Sequence, residues 1–369
     1  MNSNISKHFI DNILIEHNKF ETVKNSILKC IQYGKQDEVV CILGPTGIGK
    51  TTLHKCISEY LIRRQKHGWN IDHAYPVTVE APAQHDGKFH WKSLMENIAI
   101  ELGESDFSKK VDLDRIQQNK KTRSAIYTGP APSIEGFEKI LRKRINTFQP
   151  VAIFIDEAQN IVEGMTLKTR KAAVNRLKNW ANTMNTKLFL FGTHEAKDFL
   201  NLNEQLARRI LPIYFSRYNG LDEDEYHEYC SFMWTLIDIL DIDTAPNLMD
   251  HARYFYNHSL GLPGLFANWV HSAVAYYLDN NKTQLTIKEF QKCQMDKQRL
   301  QTIELSIKQF EIVRQNLQGD FDPNTVHPDI FEHEITSHKT ATKTSNAPTK
   351  SNTKPGKQKP VRYPVHDTK

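Results

Sequence analysis

The stretch Glu38 to Leu53, EVVCILGPTGIGKTTL, constrains this chain more than any other. Its first part, up to Leu43, is a short β-branched apolar run that stops at Gly44, the pattern of a buried parallel strand. From Lys50 to His67 the apolar residues Leu53, Ile57, Tyr60 and Leu61 fall at helical spacing, and Gly68 offers a stop. Between them Gly44-x-x-x-x-Gly49-Lys50-Thr51 has the phosphate-binding spacing, in the strand–turn–helix context that gives the spacing its meaning. The loop Gly44, Pro45, Thr46, Gly47, Ile48, Gly49 can turn successive N–H groups around a β-phosphate at the positive end of a helix. Lys50 then neutralises the β and γ oxygens, Thr51 is the expected Mg²⁺ ligand, and Thr52 completes the segment. The implied cofactors are ATP and Mg²⁺.

A parallel strand obliges the chain to supply crossovers. The periodicity predicts a helix from Phe9 to Tyr33, a second strand from Tyr75 to Val79, and helices over Trp91 to Leu102 and Ile134 to Phe148. A third strand follows at Val151 to Ile155, a helix at Lys168 to Met184 and a fourth strand at Lys187 to Thr193. This alternation predicts an α/β fold, a parallel sheet with helices on both faces. After about Leu221 strands disappear. Glu223 to Leu240, Leu248 to His258, Leu262 to Leu278 and Ile287 to Leu317 all carry helical spacing, so a small all-helical lid domain is expected. The expected organisation is an N-terminal helical segment over residues 1–35, a nucleotide-binding α/β domain over 36–220, the lid over 221–318 and a basic tail over 319–369.

Charge sharpens this division. The net charge is +5, but from Thr336 to Lys369 eight Lys and Arg face Asp367 alone, so this tail carries +7 and the remainder about −2. With almost no large apolar residues, the tail is expected to be disordered. It reads either as a nonspecific polycation or as a tether whose PVRYPV patch docks on a partner. The five cysteines show no Cys-x-x-Cys pair, which argues against a disulfide framework or zinc site. No apolar run approaches the roughly 20 residues of a bilayer span, and the opening residues lack a charged n-region before an apolar core. A cytoplasmic protein without membrane contact is expected.

The second half of the site is VAIFIDE. An acid pair ending a buried strand places Asp156 beside the magnesium shell and Glu157 within reach of an attacking water; the alternative is that both merely cap a helix. Thr193, ending the next strand in FLFGTHEA, either orients the water or is an N-cap. Arg208 and Arg209 in NEQLARRI could reach the γ-phosphate of a neighbouring subunit or form surface salt bridges. Lys109, Lys110, Lys120, Lys121 and Arg123 lie in a polar excursion from Glu104 to Ser133, with Arg142, Lys143 and Arg144 beside it. They form either a solvated face or a surface that contacts nucleic-acid phosphates.

The order GPTGIGKTT, IFIDEAQN, LFGT, LARR, then Gly261-Leu262-Pro263-Gly264, resembles an AAA+ ATPase, and in detail the TnsC/TniB-type ATPases of target-selecting transposons. The resemblance covers roughly residues 10–300. It implies that Lys50 and Thr51 are Walker A residues, Asp156 and Glu157 the Walker B pair, Thr193 sensor 1, and Arg208 or Arg209 the finger. It further implies an ATP-bound ring or helical filament on double-stranded DNA, linking a target selector to a transposase. One departure stands out: many AAA+ proteins carry Gly-x-Pro-Arg where this chain has Gly264 after Pro263, which implies slow or partner-dependent hydrolysis. A helicase loader and a secretion or defence ATPase are the rival readings. No base-reading motif is visible, so any DNA contact is expected to be sequence-independent and salt-dependent.

Overall fold

The computed structural model describes residues 14–35, 38–66, 75–85, 88–103, 134–200 and 210–318. Lys109, Lys110, Lys120, Lys121, Arg123, Arg208 and Arg209 lie outside the described residues, as does the tail.

Helix α1 (Asn18–Tyr33) leads into β1 (Val39–Leu43) and, through the glycine-rich turn, into α2 (Lys50–Lys66). Next come β2 (Val77–Glu80), α3 (Trp91–Glu101), α4 (Ile134–Phe148) and β3 (Ala152–Asp156). A 3₁₀ turn (Ala158–Ile161) precedes α5 (Leu167–Met184) and β4 (Lys187–Gly192), and a second (His194–Phe199) follows β4. After β5 (Ile210–Tyr214) come α6 (Glu223–Ile239), a 3₁₀ turn (Leu248–His251), α7 (Ala252–Ser259), α8 (Pro263–Asp279), α9 (Ile287–Lys292) and α10 (Lys297–Gln318).

The strands form one parallel sheet in the order β2-β3-β4-β1-β5. Side chains alternate across β1: Val39, Cys41 and Leu43 enter one core with α3, α4 and α5, while Val40 and Ile42 enter another with α1 and α2. Both faces are therefore covered, and β1, β3 and β4 are buried throughout. Phe154 sits edge-to-face against Phe189 and Phe191 with centroids 5.3 and 5.7 Å away, contacts worth about 0.5–1.5 kcal/mol each beyond the area they bury. Residues beyond β5 build a third, aromatic core in which Tyr229, Phe255, Phe266 and Phe290 are fully buried. Helix α10 returns to the sheet, giving Phe310 to the first core and Ile307 to the second.

Five expectations are corrected. The first described helix begins at Asn18, and the expected part from Phe9 to residue 13 lies outside the described residues; Leu14 to His17 are not helical, because the His17 imidazole accepts the Phe20 N–H as an N-cap. A fifth strand, not among those expected, forms at ILPIY, which carries a proline in its middle. Pro212 is tolerated because β5 is an edge strand, paired to β1 alone. The helix expected over Ile287 to Leu317 is broken at Cys293–Asp296 into α9 and α10. That expected over Leu248 to His258 opens with a 3₁₀ turn. The second strand is also displaced towards its C-terminus, starting after Pro76.

Candidate nucleotide site

The carboxyl ends of β1, β3 and β4 meet in one place. The Gly44 N–H donates to the Gly192 carbonyl at 3.1 Å, joining the turn after β1 to the end of β4. The Ala81 N–H donates to the Asp156 carbonyl at 2.8 Å, joining the ends of β2 and β3. A crevice at the carboxyl ends of an open parallel sheet is where such folds place their ligands.

In the turn, Gly47 and Gly49 have φ of 81° and 106°, a region that a side chain makes costly. Lys50 curls back over this turn, its ammonium donating to the carbonyls of Gly44 at 2.9 Å and Pro45 at 3.1 Å. Burial pulls its pKa down to about 8, against the opposing pull of the Glu157 and Asp156 carboxylates. A buried cation hydrogen-bonded to carbonyl dipoles is poised for an anion.

The Thr51 hydroxyl donates to Asp156 Oδ2 at 2.6 Å, so the two residues expected to hold Mg²⁺ are side by side. Their donor set, one hydroxyl and one carboxylate beside a phosphate cradle, suits a hard cation that keeps several waters. Asp156 Oδ2 also meets His54 Nε2 at 3.0 Å, and Oδ1 accepts the Glu157 N–H at 2.9 Å. Burial raises the Asp156 pKa, but the bonds from His54 and Thr51 outweigh it and hold the carboxyl below the usual range. His54 is itself buried, edge-on to Phe191, and its Nδ1 has no hydrogen-bond partner.

Glu157 has a left-handed backbone, φ 52° and ψ 38°, uncommon for a residue with a side chain. It stands at the N-cap position of the following turn, yet its side chain makes no capping bond; its carboxylate instead accepts from Gln159 Nε2. Thr193 likewise stands at an N-cap position without a side-chain capping bond, and its hydroxyl reaches Glu195 at 3.4 Å. The structure thus brings together Lys50, Thr51, Asp156, Glu157 and the end of β4.

A second cleft, of about 100 Å³, opens beside the turn at Gly49 and Thr52. Ile15 and His17 line it from the N-terminal segment, Phe232 from α6, and Pro263 and Gly264 from the start of α8. A Cβ added at Gly264 would stand 2.6 Å from the Gly47 carbonyl oxygen, so glycine is what lets α8 touch the phosphate turn. The His17 Nδ1 contacts the Tyr218 hydroxyl at 2.9 Å while accepting from Phe20, which leaves the ring proton on Nε2. Burial and the Lys19 charge depress its pKa to about 4, so the ring is neutral at physiological pH.

Sequence reasoning missed His54, Gln159 and His17. His54 follows Thr51 by three residues, one helical turn, and Gln159 sits within IDEAQN; in both cases a local signal was present. His17 had none for its place in the cleft, because its partner Tyr218 is 201 positions away.

Residues 33–200, just under half of the chain, match a family described as an AAA domain. A taurine import ATP-binding protein of Jannaschia is 28% identical over 190 residues, 47% of this chain and 65% of that protein. A spermidine/putrescine import ATP-binding protein of Borreliella afzelii is 23% identical over 216 residues, 54% of this chain. The matches thus span less than two thirds of these relatives' own lengths, 65% and 57%. Among solved structures, the ADP form of the Aeropyrum pernix ORC2 protein superposes with a TM-score of 0.51 at 12% identity, over 78% of this chain and 72% of that one. The Aeropyrum pernix ORC1 protein in complex with DNA gives 0.50 at 13%, over 77% of this chain and 66% of that one. Among the described residues no helix is long and apolar enough to cross a membrane. The phosphate turn, the acid pair and the sheet that joins them are those of a P-loop AAA+ fold, and over these residues the chain is similar to ATP-binding proteins.

Proposed function

We propose that this ATPase regulates DNA transposition: in the ATP state it oligomerises on double-stranded target DNA and connects a target selector to the transposase, and hydrolysis disassembles it. The observation that carries this reading is the build of the nucleotide cleft. ATP would touch the phosphate turn, the N-terminal segment and α8 at once, so its presence or loss acts on two packed regions together. The motif order described above, and the likeness in fold to a protein solved in complex with DNA, support DNA as the partner.

The chemistry follows from the residues that meet. Lys50 exchanges its loop carbonyls for the β and γ oxygens, a stronger charge-assisted pairing. Thr51 and Asp156 would hold Mg²⁺, which supplies neutralisation of developing phosphate charge. Glu157 takes a proton from water as its oxygen attacks the γ-phosphorus and the bond to the ADP oxygen breaks. Arg208 or Arg209 of an adjacent copy is proposed as the finger, and Lys109, Lys110, Lys120, Lys121 and Arg123 as phosphate contacts on DNA.

Mobility of a duplex DNA with the purified protein tests this, comparing no nucleotide, ATP and a non-hydrolysable analogue, with Lys50→Ala as control. Retardation with the analogue, absent from the variant and weakened by salt, is expected. No retardation under any nucleotide at low salt would overturn the DNA reading while leaving the ATPase intact.

A further inference from the structure

Gln159 is 7% exposed and lies second in the 3₁₀ turn after β3. Its Nε2–H donates to Glu157 Oε2, and its Oε1 accepts the backbone N–H of Thr193 at 3.2 Å. Only one orientation of the amide satisfies both groups. A carboxylate can only accept and a backbone N–H can only donate, so the flipped amide would set acceptor against acceptor and donor against donor. The end of β4 is cut to fit: a Cβ at Gly192 would lie 3.0 Å from Gln159 Oε1 and 2.9 Å from the Ala196 Cβ.

The turn that presents Gln159 is itself clamped. The Asn160 side-chain amide donates to the Ala81 carbonyl at 2.9 Å, and Gln84 donates to the Asn160 carbonyl at 2.9 Å. Gln159 is therefore held on a fixed base between two parts of the site that the sequence separates by more than thirty residues.

We propose that Gln159 is a positioning residue for hydrolysis: its amide couples the end of β4 at Thr193 to the Glu157 carboxylate and sets the direction in which that carboxylate faces an attacking water. This rests on the reading of Glu157 as the water-activating group. One carboxylate oxygen is engaged by the amide and the other is left for water, so the planar amide converts the position of β4 into an orientation of Glu157. Without it the Glu157 side chain regains its rotamers and the Thr193 N–H is left without its acceptor.

Steady-state ATP hydrolysis by Gln159→Leu, Glu157→Gln and the double variant of the full chain tests this, with affinity for a fluorescent ATP analogue measured alongside. Expected for Gln159→Leu is a kcat at least tenfold lower with KM and analogue affinity within about twofold of the wild type. In the Glu157→Gln background the same substitution should then change the residual rate less than twofold, because the group it positions is already gone. Gln159→Glu, which keeps length and the acceptor for Thr193 but loses the donor, should reproduce the kcat loss if the leucine variant does not fold. If Glu157→Gln is inactive and Gln159→Leu hydrolyses normally, the coupling is overturned and the Glu157 reading stands. A rise in kcat, or a loss that repeats in full in the Glu157→Gln background, also overturns it. If Glu157→Gln hydrolyses normally, the water-activating reading falls and this proposal with it.

Discussion

The two walls of the nucleotide cleft are built in opposite ways. The phosphate wall is one uninterrupted stretch, Gly44 to Thr52, whose spacing, glycines and terminal lysine all serve a single turn. The facing wall is assembled from three distant parts of the chain: Ile15 and His17, Phe232, and Pro263 with Gly264. Backbone N–H groups can grip a phosphate wherever a strand turns into a helix, so that wall is a local device. A cleft for the rest of the proposed nucleotide has no such local device. It needs surfaces brought from elsewhere, and here the aromatic core beyond β5 supplies one of them.

Three substitutions break this comparison at different points. Lys50→Ala removes the cation of the phosphate wall, and hydrolysis should fall at least about 100-fold, the scale seen when one charge-stabilising donor is deleted from an active site. A rate within tenfold of wild type would mean that Lys50 does not meet the phosphates. Gly264→Ala attacks the seam between the walls, because its new methyl must displace either α8 or the carbonyl of Gly47. Overpacking of this kind costs about 1–3 kcal/mol, so affinity for ATP should weaken roughly tenfold while the far-ultraviolet circular dichroism stays unchanged. Unaltered affinity would show the two walls to be independent.

The third substitution acts on the far wall through pH. The folded pKa of His17 is depressed to about 4 from an ordinary 6.5, so the unfolded chain binds more protons between those values. Stability from this group is complete above about pH 6.5 and is lost as pH falls towards 4, by up to about 3 kcal/mol. His17→Phe should flatten the pH dependence of the melting temperature across that window. An unchanged slope would show that folding does not depress the pKa of the ring.

How far the sequence could be read follows the same division. The strands β1, β3 and β4 were legible because each is an apolar run between glycine, proline or acidic punctuation. Their burial on both faces leaves no alternation to confuse. Strand β5 was not assigned; its Pro212 fits a strand only because the outer side of β5 has no ladder to break. The separate helices α9 and α10 merged for a related reason: helical spacing continues through Cys293–Asp296, and only the closing of α9 at Cys293, whose N–H returns to the Glu289 and Phe290 carbonyls, marks the end. The first helix was extended through Leu14 because apolar spacing says nothing about a histidine whose ring accepts the Phe20 N–H as a cap.

By itself, the sequence determined the phosphate turn, the acid pair at Asp156 and Glu157 and the parallel α/β framework that carries them. Each of these is specified within a dozen residues by backbone freedom, helix polarity and apolar runs. Only the tertiary structure decided that His54 backs Asp156, that Gln159 ties Glu157 to Thr193, and that His17 and Gly264 close the other wall. Those contacts join residues from 34 to more than 100 positions apart, apart from the Gln159–Glu157 bond itself. A hydrogen bond or van der Waals contact across such a separation depends on strand order and helix packing, and no local pattern encodes either.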